Sequence, residues 1–185
     1  MTRIAGIFAA VSLSLAAIAP AAIAPAAAQP AVGTGPATLL GAFNNWQAYS
    51  TGSGSSLTCY ALSKPRATRP KGAKRTDIYL MVSAWPSRKI KGEVQIVLGY
   101  PGNEKGAASL GVGPEKFAFF IRNTGKESSA WLTSLNDNQR LIDSMRGGVS
   151  AVASGVSQRG TKTIDTYSLS GFNDALTKIQ TTCQM

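Results

Sequence analysis

From Thr76 to Trp85 the chain alternates, with Ile78, Leu80, Val82 and Ala84 on one side and Asp77, Tyr79, Met81 and Ser83 on the other. A period of two is the signature of a strand with one apolar face, and no helix can sort those residues the same way. Glu93 to Tyr100 repeats the pattern with Val94, Ile96 and Leu98. Shorter segments read as further strands: Phe43 to Tyr49, Leu57 to Leu62, Lys116 to Asn123, Ser129 to Leu132, Val149 to Ala153 and Thr161 to Leu169. Gly, Pro and Ser separate them, at Thr51 to Ser56 and Gly155 to Gly160 among other places. Helical spacing occurs twice. Leu141, Ile142 and Met145 mark a short helix over Asp137 to Arg146, and Phe172, Ala175, Leu176 and Ile179 mark a clearer one behind a Ser170 N-cap. The expected fold is mainly β: an antiparallel β-sandwich or barrel-like domain with one or two short helices, the last at the carboxyl terminus.

The amino terminus has the form of an export signal. Arg3 is followed by an uncharged apolar run from Ile4 to Ala19, and Ala26-Ala27-Ala28 supplies an A-x-A site. Residues 1–28 therefore read as a cleaved secretory signal peptide, 29–41 as a flexible leader and 42–185 as a single β-rich domain. Pro20 and Pro25 interrupt the stretch and argue against a retained anchor. No later segment approaches the about 18 apolar residues of a membrane span. The expected location is periplasmic or secreted. In that oxidising space the only two cysteines, Cys59 and Cys183, are expected to pair, since no C-x-x-C or neighbouring histidine marks a reactive thiol.

The chain contains no histidine. That removes the commonest general base, the Ser-His-Asp and Cys-His arrangements and the zinc sites built on histidine. The carboxylates are scattered without a paired spacing, and the Gly-rich stretches Gly99 to Gly106 and Gly111 to Pro114 lack the P-loop and dinucleotide patterns. Trp46, Trp85, Trp131, Phe117, Phe119 and Phe120 read as core and inter-strand packing. No catalytic residue, metal ligand or cofactor is assigned.

Charge is the remaining signal. Lys and Arg number 19 against 9 Asp and Glu, and nine of those bases with a single acid fall between Lys64 and Lys91. They are Lys64, Arg66, Arg69, Lys71, Lys74 and Arg75, then Arg88, Lys89 and Lys91 on the far side of the Thr76 to Trp85 strand. The first six lie in a Pro- and Gly-containing connection that should be an exposed, extended loop. Such bases suit phosphates, acidic sugars or an anionic membrane surface, or they simply keep a secreted protein soluble. Nucleic acid is not expected, because no aromatic signature interleaves the bases.

Several of these pieces occur together in one known family. Phe43-x-x-Trp46, Cys59, a Pro-containing linker, the Thr76 to Trp85 strand and the block EVQIVLGYPG (93–102) resemble the invasion-associated locus B family of exported alphaproteobacterial proteins. The closing stretch RGTKTIDTYSLSGFNDAL (159–176) and terminal Cys183 carry its most specific pattern, G-x-x-x-x-D-x-Y-S-L-x-G-F-x-x-A-L. The basic insert Lys64 to Arg75 is longer than the family's connection at that point. The resemblance implies a β-sandwich-like periplasmic or envelope protein, linked to host-cell invasion or envelope fitness, without an established enzymatic activity. Two function classes follow. One is a non-enzymatic accessory protein that recognises an anionic polymer or protein of the envelope or host surface. The other is a carboxylate-dependent enzyme acting on cell-wall or glycan polymers, which needs a pocket with two carboxyl groups about 5 to 10 Å apart.

Overall fold

Asn44, at a φ of +50°, reverses the chain between two strands where the sequence suggested one. Asn tolerates this left-handed conformation better than most residues, so Phe43 to Tyr49 divides into β1 (Thr38–Phe43) and β2 (Trp46–Thr51). The computed structural model describes residues 36–125 and 127–185, and the expected signal peptide and most of the leader fall outside them. β1 nevertheless begins inside the leader segment, so Thr38, Leu39 and Gly41 are paired with β2, with an irregularity at Leu40.

The remaining elements are β3 (Thr58–Ser63), β4 (Ala67–Arg69), β5 (Tyr79–Trp85), β6 (Ile90–Val97), β7 (Ala108–Val112), β8 (Glu115–Thr124) and β9 (Glu127–Leu132). Then come α1 (Asn138–Gly147), β10 (Ser150–Val156), β11 (Lys162–Ser168) and α2 (Phe172–Thr182). All strands join one antiparallel sheet in the order β1-β2-β3-β5-β6-β9-β8-β7-β10-β11-β4. The mainly β, antiparallel architecture with a carboxyl-terminal helix is the one the periodicity implies. The sheet is coiled but not closed.

β4 shows how far it coils. Only Lys64 to Arg66 separate it from β3, yet it pairs with β11 at the other end of the strand order. The Trp46 indole N–H crosses the same gap and donates to the Ser168 carbonyl at 3.0 Å. Inside the coil a continuous apolar core includes Leu80, Val82, Ile96, Leu110, Phe117 and Tyr167. β5 is buried on both faces, beyond what its alternation promised. On its outer side Ser83 lies between Tyr60 and Glu93, and Met81 between Leu62 and Gln95, so larger cross-strand neighbours cover it.

α2 lies over β1, β2 and β3 and buries Phe172, Ala175, Leu176 and Ile179. Full burial of each of the three larger side chains contributes about 1.5–3 kcal/mol. Its N-cap is Gly171 rather than Ser170. At φ +90° a Cβ there would stand 1.9 Å from the Phe43 carbonyl oxygen, so the β1 backbone admits only glycine. At the other end of α2, Cys183 is disulfide-bonded to Cys59, with 6.0 Å between the Cα atoms. The bridge fastens the last helix to β3, as the cysteine count implied.

Candidate anion-binding site

The nine bases divide three ways. Lys64, Arg66, Arg69, Lys71 and Lys74 are exposed in the connection before β5, although Arg69 belongs to β4 and faces Ile164 of β11. The Lys64 ammonium sits 5.7 Å from the centre of the Tyr79 ring. Arg88, Lys89 and Lys91 are exposed around the turn after β5. Arg88 stacks over Trp85 at 5.6 Å. It also opposes the dominant effect on Glu93, whose carboxyl is pushed up by burial. Seven residues of strand at about 3.3 Å each put the two groups on the order of 20 Å apart, so they are not one patch.

Arg75 is the exception. Composition places it with the exposed loop bases, but its side chain is only 5% exposed and is held by Asp165, itself 2% exposed. Nη1 and Nη2 donate to the two carboxylate oxygens at 2.6 and 2.7 Å, a two-pronged pairing suited to the planar guanidinium. Nε and Nη2 also donate to the Leu98 carbonyl at 3.0 and 2.7 Å. The guanidinium lies 5.0 Å from the centre of the Tyr100 ring. The Tyr100 hydroxyl shares a 2.6 Å hydrogen bond with Thr163. Burial pushes the Tyr100 phenol up, against the Thr163 hydrogen bond and the Arg75 charge, so it is a neutral donor or acceptor. Gly155 makes this corner possible, since a Cβ there would meet the Tyr100 hydroxyl at 2.7 Å. Arg75 is a fold-holding residue that ties the end of β6 to the middle of β11.

Above this ion pair opens a cavity of about 640 Å³. It is lined by Lys74 and Arg75, by Tyr100 and Pro101, and by the turn from Ser157 to Thr161. Arg159 at the tip of that turn is the functional candidate that the sequence did not single out. It stands 85 positions beyond Lys74, outside the basic cluster, and only the coiling of the sheet brings the two to one opening. Among the described residues no carboxylate lines the cavity, and a second, shallower depression along α2 has Asp174 as its one carboxylate. The groups lining the cavity supply positive charge and hydrogen bonds.

No family model and no curated protein matches the chain. A solved fold does. The crystal structure of invasion associated protein B from Bartonella henselae aligns with a TM-score of 0.54 at 13% identity, covering 78% of this chain and 98% of that one. At that identity the likeness establishes the shared fold. Among the described residues no helix is long and apolar enough to cross a membrane.

Proposed function

We propose that this chain is an exported, non-enzymatic envelope protein whose exposed bases hold an anionic polymer of the cell envelope or a host surface. The observation that carries this reading is the state of Lys64, Arg66, Arg69, Lys71 and Lys74. All five are exposed in one connection, and none makes an ion pair among the described residues. An unpaired run of like charge attracts polyanions over a Debye length of about 10 Å at 0.1 M salt. Export is supported by the Cys59–Cys183 bridge, which persists in oxidising compartments, and by the signal-like amino terminus. The fold shared with a protein described as invasion-associated supports a role in host contact.

Retention on an anionic glycan column tests the reading. With all five bases changed to Gln, retention at low salt should fall most of the way to that of a neutral control, and the parent should elute early at moderate salt. Equal, salt-insensitive retention of the two proteins would overturn it. Cell fractionation tests location separately, and recovery in the cytoplasmic fraction with free thiols would overturn export.

A further inference from the structure

The loop reading concerns an extended polymer held at long range, whereas the cavity has the dimensions and chemistry of a discrete site. We propose that the cavity between the Lys74–Arg75 segment and the Ser157–Thr161 turn binds one compact organic anion, a sugar-sized carboxylate or phosphate, with Lys74 and Arg159 facing its charge. The inference goes beyond the polymer reading and depends on a residue, Arg159, that the polymer reading does not use.

Four observations carry it. The volume of about 640 Å³ lies within the range of small-molecule sites, about 300–1,000 Å³, and is too small for more than a short piece of a polymer. Lys74 and Arg159 are both exposed to it, and neither has an ion-pair partner among the described residues, so their charge is open to a ligand. Arg75, the third cation of the lining, is already satisfied by Asp165 and Leu98, so it walls the site and adds no free charge. Neutral polar groups complete the lining: Ser157, Gln158 and Thr161. The Ser157 oxygen accepts the Thr161 N–H at 3.1 Å, which leaves the Ser157 hydroxyl proton to donate.

The walls are set before any ligand arrives. Gln158 N–H donates to the Pro101 carbonyl at 2.9 Å and Asn103 N–H to the Val156 carbonyl at 2.8 Å, which fastens the turn to the neighbouring segment. Within the turn, Ser157 N–H and Gly160 N–H donate at 2.9 Å to Thr161 and Ser157 carbonyls. The opposite wall is anchored by Arg75. A site whose backbone is fixed in advance loses little freedom on binding, which favours even a small ligand.

The test is a calorimetric titration of the purified, disulfide-bonded protein with glucose 6-phosphate, galacturonate and uncharged glucose. Saturable one-to-one binding of either anion, with none for glucose, is the expected result, and which anion binds separates a phosphate from a carboxylate ligand. Arg159→Gln and Lys74→Gln should each weaken it about tenfold or more. Both residues are exposed, so thermal melts should match the parent. The variant with Lys64, Arg66, Arg69 and Lys71 changed to Gln should keep the titration while losing column retention, which separates failure of this site from failure of the polymer reading. Absence of saturable binding by both anions would overturn the proposal. So would glucose binding as well as they do, or Arg159→Gln leaving the affinity unchanged.

Discussion

Two regions hold this open sheet together, and they do so by different physics. On one side α2 presses an apolar face onto β1, β2 and β3, and the Cys59–Cys183 bridge prevents its departure. At the opposite corner the junction between the β6 end and β11 is polar, formed by Arg75, Asp165, Tyr100 and Thr163. Apart from the close fit of Gly171 against Phe43, the first region tolerates imprecision. Burial is non-directional, and a bridge across 124 residues acts largely by restricting the unfolded chain. The second depends on geometry, because two buried charges repay their lost hydration only when each hydrogen bond is made. The cavity sits at the second region. A ligand site is better served by a wall whose guanidinium is already held by directional bonds than by one that merely packs.

The largest test of that contrast is to remove one half of the buried pair. Asp165→Ala leaves the Arg75 charge buried and unmatched, and should cost about 3–5 kcal/mol in urea unfolding. Replacing both by apolar residues, Arg75→Met with Asp165→Leu, should recover much of the loss, less the donors taken from the Leu98 carbonyl, about 1–3 kcal/mol. If the single variant unfolds like the parent, the corner is not a fastening. Next in size is the bridge. Changing Cys59 and Cys183 to Ala should cost about 2–4 kcal/mol, with a chain-entropy ceiling near roughly 5 kcal/mol. Hydrogen exchange should show α2 amides losing protection first while β10 and β11 keep theirs. Uniform loss over both regions would mean that the two fastenings are one cooperative unit.

The apolar region was far easier to read from the sequence than the polar one. Val94, Ile96 and Leu98 announce a strand face by spacing alone, and Phe172 to Ile179 announce a helix, because both periods are local. The cysteine pairing needed only a count and a compartment. β4 could not be read that way, since three residues beside a proline become a strand only through β11, nearly 100 positions later. β7, Ala-Ser-Leu-Gly-Val, has too few branched residues to stand out from the turn that follows it. Arg75 was misplaced for a related reason. Its neighbours are loop bases, and the carboxylate that buries it is 90 positions away. Arg159 carried no local signal, because what selects it is a juxtaposition of two turns.

A smaller effect sharpens the division between Arg75 and its neighbours. Changing Lys64, Arg66, Arg69, Lys71 and Lys74 to Gln should move stability by no more than about 0.5 kcal/mol at each site, since all five are exposed. Adding Arg75→Gln to that set should cause a drop several times larger in the same urea titration. If the sixth change adds nothing, the ion pair is dispensable and the whole connection is surface.

The smallest effects ask how far the helical side depends on charge at all. Two carboxylates there are shifted in opposite senses. Glu115 is held below the ordinary carboxylate range by the Ser144 hydroxyl first and by Arg140, which donates to it at 2.8 Å and also reaches Asp137 at 2.8 Å. Glu93 on β6 is pushed up by burial, with Arg88 and Trp85 only partly opposing. Linkage then gives the two groups opposite pH behaviour. Ionised Glu115 favours the fold above its unfolded pKa, and that contribution disappears as pH falls through the lower folded value. Glu93 favours the fold in its neutral form, so its contribution is complete below the unfolded pKa and is lost as pH rises through the raised folded value. Thermal melts of Glu115→Gln should therefore lie slightly below the parent at neutral pH and merge with it in strong acid. Those of Glu93→Gln should lie above it at neutral pH and merge below about pH 4. Glu115 is solvated, so screening keeps its difference small, and added salt should shrink it further. Shifts of the same sign in the two variants would mean that the packing around Arg140 and Trp85, rather than carboxylate ionisation, governs this side of the molecule.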